Sequence, residues 1–156
     1  MAELGFYRLT ETPLERALPV MLAKSLERGW RVEVRGGNGP ALEALDQALW
    51  SYDQEGFLPH GLAGSPHDAR QPILLTTTPV PGDAPREALF LIDRAGFDTG
   101  EAAGRTRTAL LFDGHDEEAL AEARDRWRAT VAAGLRAVFW AQAQGGRWEK
   151  QAESGG

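Results

Sequence analysis

"LGFYRLTETPLERALPVMLAKSLERGWRVEVRGGNGPALEALDQALW", residues 4–50, sets the architecture. Leu4–Thr10 alternates apolar and polar positions and carries aromatics, as a strand does. In the next segment Thr12 can cap a helix and Pro13 suits its first position. Leu14, Leu18, Met21, Leu22, Ser25 and Leu26 follow near helical spacing, and Gly29 ends the run. Pro19 either kinks this helix or marks a tight first turn. Trp30–Arg35 alternates again, "GGNG" turns the chain, and Pro40–Trp50 reads as a helix with Leu42, Leu45, Leu49 and Trp50 on its apolar side. Strand, helix, strand, helix predicts parallel pairing through right-handed crossovers.

The same pattern continues outward. Pro72–Thr78, Glu87–Asp93 and Arg105–Gly114 read as strands. His115–Gly134 is a helix with acidic residues at its start and arginines further along, matching the helix dipole. Arg136–Gln142 is a last strand. The expected fold is a single α/β domain over residues 1–145, a mostly parallel, Rossmann-like three-layer sheet with helices on both faces. Residues 146–156, ending "QAESGG", are expected to be a polar, partly disordered tail. No internal repeat or second domain is visible.

Composition narrows the functional classes. A chain of 156 residues can bury a real core. It has no cysteine, which excludes disulfides, thiolate metal sites and a cysteine nucleophile, and the count fits a reducing cytoplasm. A net charge of −6 makes direct gripping of a phosphate backbone a poor expectation. No apolar run approaches the ~20 residues of a membrane helix, and the N-terminus lacks a signal pattern.

Three features could carry chemistry. His60 and His67 share a loop with Asp68, but their spacing matches no metal motif, and Ser65, His60 and Asp68 lack a nucleophile elbow. His115 suits a capping or exposed role. The loop "RGGNGP" (Arg35–Pro40) follows a strand and opens a helix, where phosphates often bind. It lacks the dinucleotide and Walker spacings, and Pro40 removes a donor, so a tight turn is the stronger reading. A nucleotide- or metal-dependent hydrolase using residues 35–40 or His60 is the alternative function. In "EARDRWRAT", Arg124, Trp127 and Arg128 stand at i, i+3 and i+4 and share a helix face, while Arg126 points elsewhere. Two guanidiniums beside an indole can hold a carboxylate and cover apolar surface. The competing reading is a solvated face with Trp127 packed into the core.

The succession of "FYRL", "LDQALWSYDQEGFLPHGLAG", "QPILLT" and the late "ARDRWRATVAAG" helix resembles the chi subunit of bacterial DNA polymerase III holoenzyme, over roughly residues 4–142. The resemblance implies a noncatalytic, cytoplasmic accessory subunit of the clamp-loader assembly in DNA replication, with no cofactor and a fold like that of nucleotide-binding α/β proteins. It implies two partners: a psi subunit, where one is present, and the acidic C-terminal tail of single-stranded DNA-binding protein, which ends in an aromatic residue and a free carboxylate. DNA is then met only indirectly. By the resemblance, Arg124, Trp127 and Arg128 match the tail-binding helix, with Phe139 lining the pocket. Trp50, Phe57, Leu58 and Pro59 carry the psi-facing edge. Asp113 departs from an apolar residue of the family and would repel an acidic tail unless it turns away or orders an arginine. His60 is expected to order its loop through a backbone partner.

Overall fold

A computed structural model describes residues 2–51, 59–64, 68–77 and 86–155. Its strands are β1 (Glu3–Leu9), β2 (Val32–Arg35), β3 (His60–Leu62), β4 (Ile73–Thr76), β5 (Ala88–Leu91), β6 (Arg107–Asp113), β7 (Arg136–Gln142) and β8 (Trp148–Ser154). The helices are α1 (Leu14–Glu27), α2 (Gly39–Ser51), α3 (Thr99–Ala103) and α4 (Glu117–Ala132). The strands form one sheet in the order β3-β4-β2-β5-β6-β1-β7-β8. Every neighbouring pair is parallel except β7–β8.

Alternation along the central strands divides the core in two. Tyr7, Leu9, Ala109 and Leu111 face α1 and α2, where Leu18, Leu22, Leu42, Leu45 and Leu49 pack. Leu4, Phe6, Leu110 and Phe112 face the other way, onto α3 and α4. This is the expected three-layer α/β fold. Each fully buried leucine contributes about 1.5–3 kcal/mol of transfer free energy. α4 reaches the sheet through the small residues Ala119 and Ala123, so its larger side chains stand at the margins of the contact.

Several local expectations are corrected. Thr12 does not cap α1: Pro13 occupies the N-cap position, and the Thr12 hydroxyl instead accepts a hydrogen bond from Gln142 Nε2 at 2.6 Å. Pro19 lies inside α1, which continues unbroken to Glu27. Its missing N–H deprives only the Glu15 carbonyl in the first turns of a partner. Trp50 is not on the buried side of α2 with its leucines; it is 52% exposed. Residues 146–156, expected as a tail, instead include β8, which pairs antiparallel with β7 through Val138↔Glu153, Trp140↔Lys150 and Gln142↔Trp148. The chain returns along the sheet edge because Gly145 and Gly146 adopt positive φ angles of 89° and 86° in the connecting turn.

Candidate functional site

α4 begins on Asp116, whose carboxylate accepts the N–H groups of Glu118 and Ala119 at 3.0 and 3.3 Å. That cap satisfies two of the N–H groups left free at the helix start, while Ala119, Ala123 and Thr130 mark the side that is buried. Trp127 lies edge-on to Phe6 at 5.5 Å and to Phe139 at 6.1 Å, and Phe139 also meets Phe112 at 6.1 Å. The structure therefore brings Trp127 and Phe139 together in one half-buried aromatic cluster. Arg124 and Arg128 stand on the exposed side of the same helix. Arg128 pairs with Asp125 at 2.9 Å, but the two side chains are 73% and 76% exposed, so water screens the pair. Arg126 does point elsewhere. It donates to the Ala95 carbonyl at 2.9 Å and lies 5.4 Å above the Phe97 ring. Burial lowers its pKa, with the Glu122 charge opposing that shift.

Asp113, at the end of β6, accepts a hydrogen bond from the His115 N–H at 2.8 Å. It orders its own turn rather than an arginine. His115 does not cap α4; its Nε2 lies 3.0 Å from the Thr10 carbonyl oxygen.

At the far edge of the sheet, β3 is held by α2. His60 is buried, with Nε2 3.1 Å from Asp46 Oδ1. A carboxylate thus stands beside this nitrogen of the ring. Trp50 covers that ring at a centroid distance of 4.4 Å. Pro59 is half-buried just before β3, and Leu62 is partly exposed on it. Phe57 and Leu58, with Ser65 and His67, lie outside the described residues.

In open parallel sheets, ligands commonly occupy the crevice at the carboxyl ends of the strands. Here that crevice, about 350 Å³, includes Glu15, Asp93, Asp113 and Asp116 in its lining. Among the described residues the one lining cation is Arg94, itself held by Glu122 at 2.6 Å and Glu118 at 3.4 Å. A phosphate would meet net negative charge. The neighbouring glycine loop is also committed to structure. Asn38 accepts the Ala41 N–H at 2.8 Å and donates to Asp93. A β-carbon at Gly37 would lie 1.9 Å from the Asp93 carbonyl oxygen, so this glycine serves close backbone packing.

Sequence reasoning also missed two further features. Gln142 Oε1 accepts the N–H groups of Thr10, Glu11 and Thr12 at 2.9, 2.9 and 3.2 Å and ties the β1–α1 turn to β7. The second is a basic groove along α1, whose residues read individually as ordinary surface and core positions. The visible signal was the spacing of Arg16, Val20 and Lys24.

Taken together, the molecule is a parallel α/β protein with an acid-lined strand-end crevice and cationic, aromatic surfaces on an outer helix. A family model described as DNA polymerase III chi subunit, HolC, matches residues 1–137, most of the chain, which belongs to that family. The family places it with the DNA polymerase III complex, in a replication accessory role. No curated protein shows a significant match.

Proposed function

We propose that this chain is a noncatalytic, cytoplasmic subunit that links the DNA polymerase III clamp loader to single-stranded DNA-binding protein. It does so by holding that protein's acidic C-terminal tail on α4. The observation that carries this reading is the pair of exposed guanidiniums, Arg124 and Arg128, on the helix that also carries the Trp127–Phe139 cluster. A guanidinium offers a carboxylate two parallel donors. The margin of the aromatic cluster offers apolar surface to the terminal ring of the tail. The exposed carboxylate of Asp113 disfavours acidic residues that approach the end of β6. A psi-type subunit docks at the β3 edge through Trp50 and Pro59, with Phe57 and Leu58, where such a subunit is present. DNA is reached through the protein that coats it.

Fluorescence anisotropy with a labelled tail peptide, with and without its terminal aromatic residue, tests the reading. The complete peptide binds more tightly, and Arg128→Ala weakens it by about 2 kcal/mol. Equal binding of the two peptides, or of neither, contradicts the assignment. Binding also weakens with added salt, as expected for partly exposed charges.

A further inference from the structure

A groove of about 410 Å³ lies between α1 and the β7–β8 hairpin, with Tyr7, Phe90, Trp140 and Trp148 among its lining residues. Its α1 wall carries Arg16, Lys24 and Arg28, all exposed. Among the described residues none of these three makes an ion pair, and no aspartate or glutamate lines the groove. This contrasts with a net charge of −6 for the whole chain. The fourth lining cation, Arg107, is shared with Glu3 at 3.3 Å. Val20 stands between Arg16 and Lys24 on the helix and is 45% exposed, an apolar side chain flanked by cations at i−4 and i+4.

We propose that this groove is a docking site for an acidic peptide segment of a partner protein that carries a large apolar side chain. Charge complementarity sets the sign of the ligand. The spacing of the cations sets its shape: from Arg16 to Arg28 the helix advances about 18 Å. Charges strung over that length match an extended run of about five or six residues. A single phosphate or small anion needs cations that converge. The aromatic lining disfavours nucleic acid. Tyr7 and Trp140 lie parallel to each other at 6.3 Å, and Trp148 meets Tyr7 edge-on at 5.2 Å. These rings are packed on one another, whereas bases need a ring face to stack upon. The space above them suits an inserted side chain. Gly5 makes the arrangement possible, since a β-carbon there would sit 2.7 Å from the Tyr7 ring. Burial raises the Tyr7 pKa, so its hydroxyl remains a hydrogen-bond donor.

This site is independent of the α4 surface. Trp140 and Trp148 pack on the α1 side of the sheet, whereas Trp127 and Phe139 pack on the other. Both groove tryptophans also lie beyond the residues matched to the family.

The test uses the full-length chain and a C-terminally amidated poly-aspartate peptide with one internal phenylalanine. Tryptophan indole N–H signals are followed by NMR. The Trp140 and Trp148 signals shift saturably, and Arg16→Glu with Lys24→Glu raises the apparent Kd at least about tenfold. Arg124→Ala with Arg128→Ala leaves those shifts in place. Failure of the α4 reading shows separately, as an unmoved Trp127 signal with the tail peptide. The proposal is overturned if the Trp140 and Trp148 signals do not move, if an asparagine version of the peptide moves them equally, or if the Arg16/Lys24 variant binds unchanged. A thymidine oligomer that shifts them more strongly than the peptide also overturns it.

Discussion

The arginines packed against α3 and those on α4 belong to the same residue type under opposite constraints. Arg35 is buried, with Glu33 at 3.0 Å and Glu101 at 2.8 Å. Arg105 reaches the other Glu33 oxygen at 3.0 Å, and the Thr76 hydroxyl donates to Glu33 at 2.8 Å. Burial pulls the Arg35 pKa down, but the Glu101 hydrogen bond and the Glu33 charge outweigh it and the net shift is upward. Arg124 and Arg128 stand in water, the latter beside an equally exposed Asp125. The difference separates roles. A guanidinium enclosed by carboxylates can hold elements together but has little left for a partner, while an exposed one adds little stability and can bind.

Removing a carboxylate from the buried cluster gives the largest expected effect. Glu33→Ala leaves buried Arg105 without a carboxylate and Arg35 with Glu101 alone, and destabilises the fold by about 3 kcal/mol, read from urea denaturation. A loss below about 1 kcal/mol would place this cluster with the exposed pairs and erase the contrast. Next comes Trp127→Ala on α4. Truncating a fully buried tryptophan costs about 3–5 kcal/mol, and this ring is half-buried, so about 2 kcal/mol is expected. That result would show that the helix carrying the cations proposed to bind also carries a structural residue.

The third prediction concerns pH. The hydrogen bond from Arg35 holds the Glu101 carboxyl below its ordinary value of 4.5, aided by the Arg35 charge and opposed by burial. A carboxyl whose folded pKa is depressed stabilises the fold above its unfolded pKa, and loses that contribution as pH falls through the folded value. Stability of the parent chain should therefore decline on acidification below about pH 5. Glu101→Gln, measured by denaturation at a series of pH values, should be less stable at neutral pH and flatter across this window. Parallel profiles would show that the contact contributes nothing through charge.

How much of this was legible follows from how locally each feature is encoded. Leu4–Thr10, read from its alternation and aromatics, and Arg136–Gln142 are indeed β1 and β7, although β1 is buried at successive positions because helices cover both of its faces. The alternation in "WRVEVR" marked a strand and nothing more, whereas its charged residues Glu33 and Arg35 are buried. Their partners Thr76, Glu101 and Arg105 are remote in sequence, so no local pattern reveals that the charges are enclosed. β8 was missed because "WEKQAES" is a mostly exposed edge strand with little apolar periodicity. The α4 surface was legible through i, i+3, i+4 spacing, but the relation of Trp127 to Phe139 needed the packing of β1 and β7. The α1 groove needed six separate elements, and its Trp140 and Trp148 are brought together only by a hairpin whose second arm was read as a tail.

The smallest effect makes the sharpest test of the contrast. Arg128→Ala removes a side chain that is 73% exposed and whose ion-pair partner is equally open to water. The resulting change in stability should be below about 0.5 kcal/mol, because an exposed pair gains little Coulomb energy and costs side-chain entropy. A double-mutant cycle with Asp125→Ala checks this directly, and a coupling close to zero is expected. The same cycle measured on tail-peptide binding has a different outcome. Under the proposed tail binding, Asp125 would compete with the incoming carboxylate for Arg128, so Asp125→Ala should strengthen binding modestly while Arg128→Ala weakens it. If Asp125→Ala instead weakens binding, the aspartate is positioning the guanidinium, and the arginines of α4 resemble those beneath α3 more than their exposure suggests.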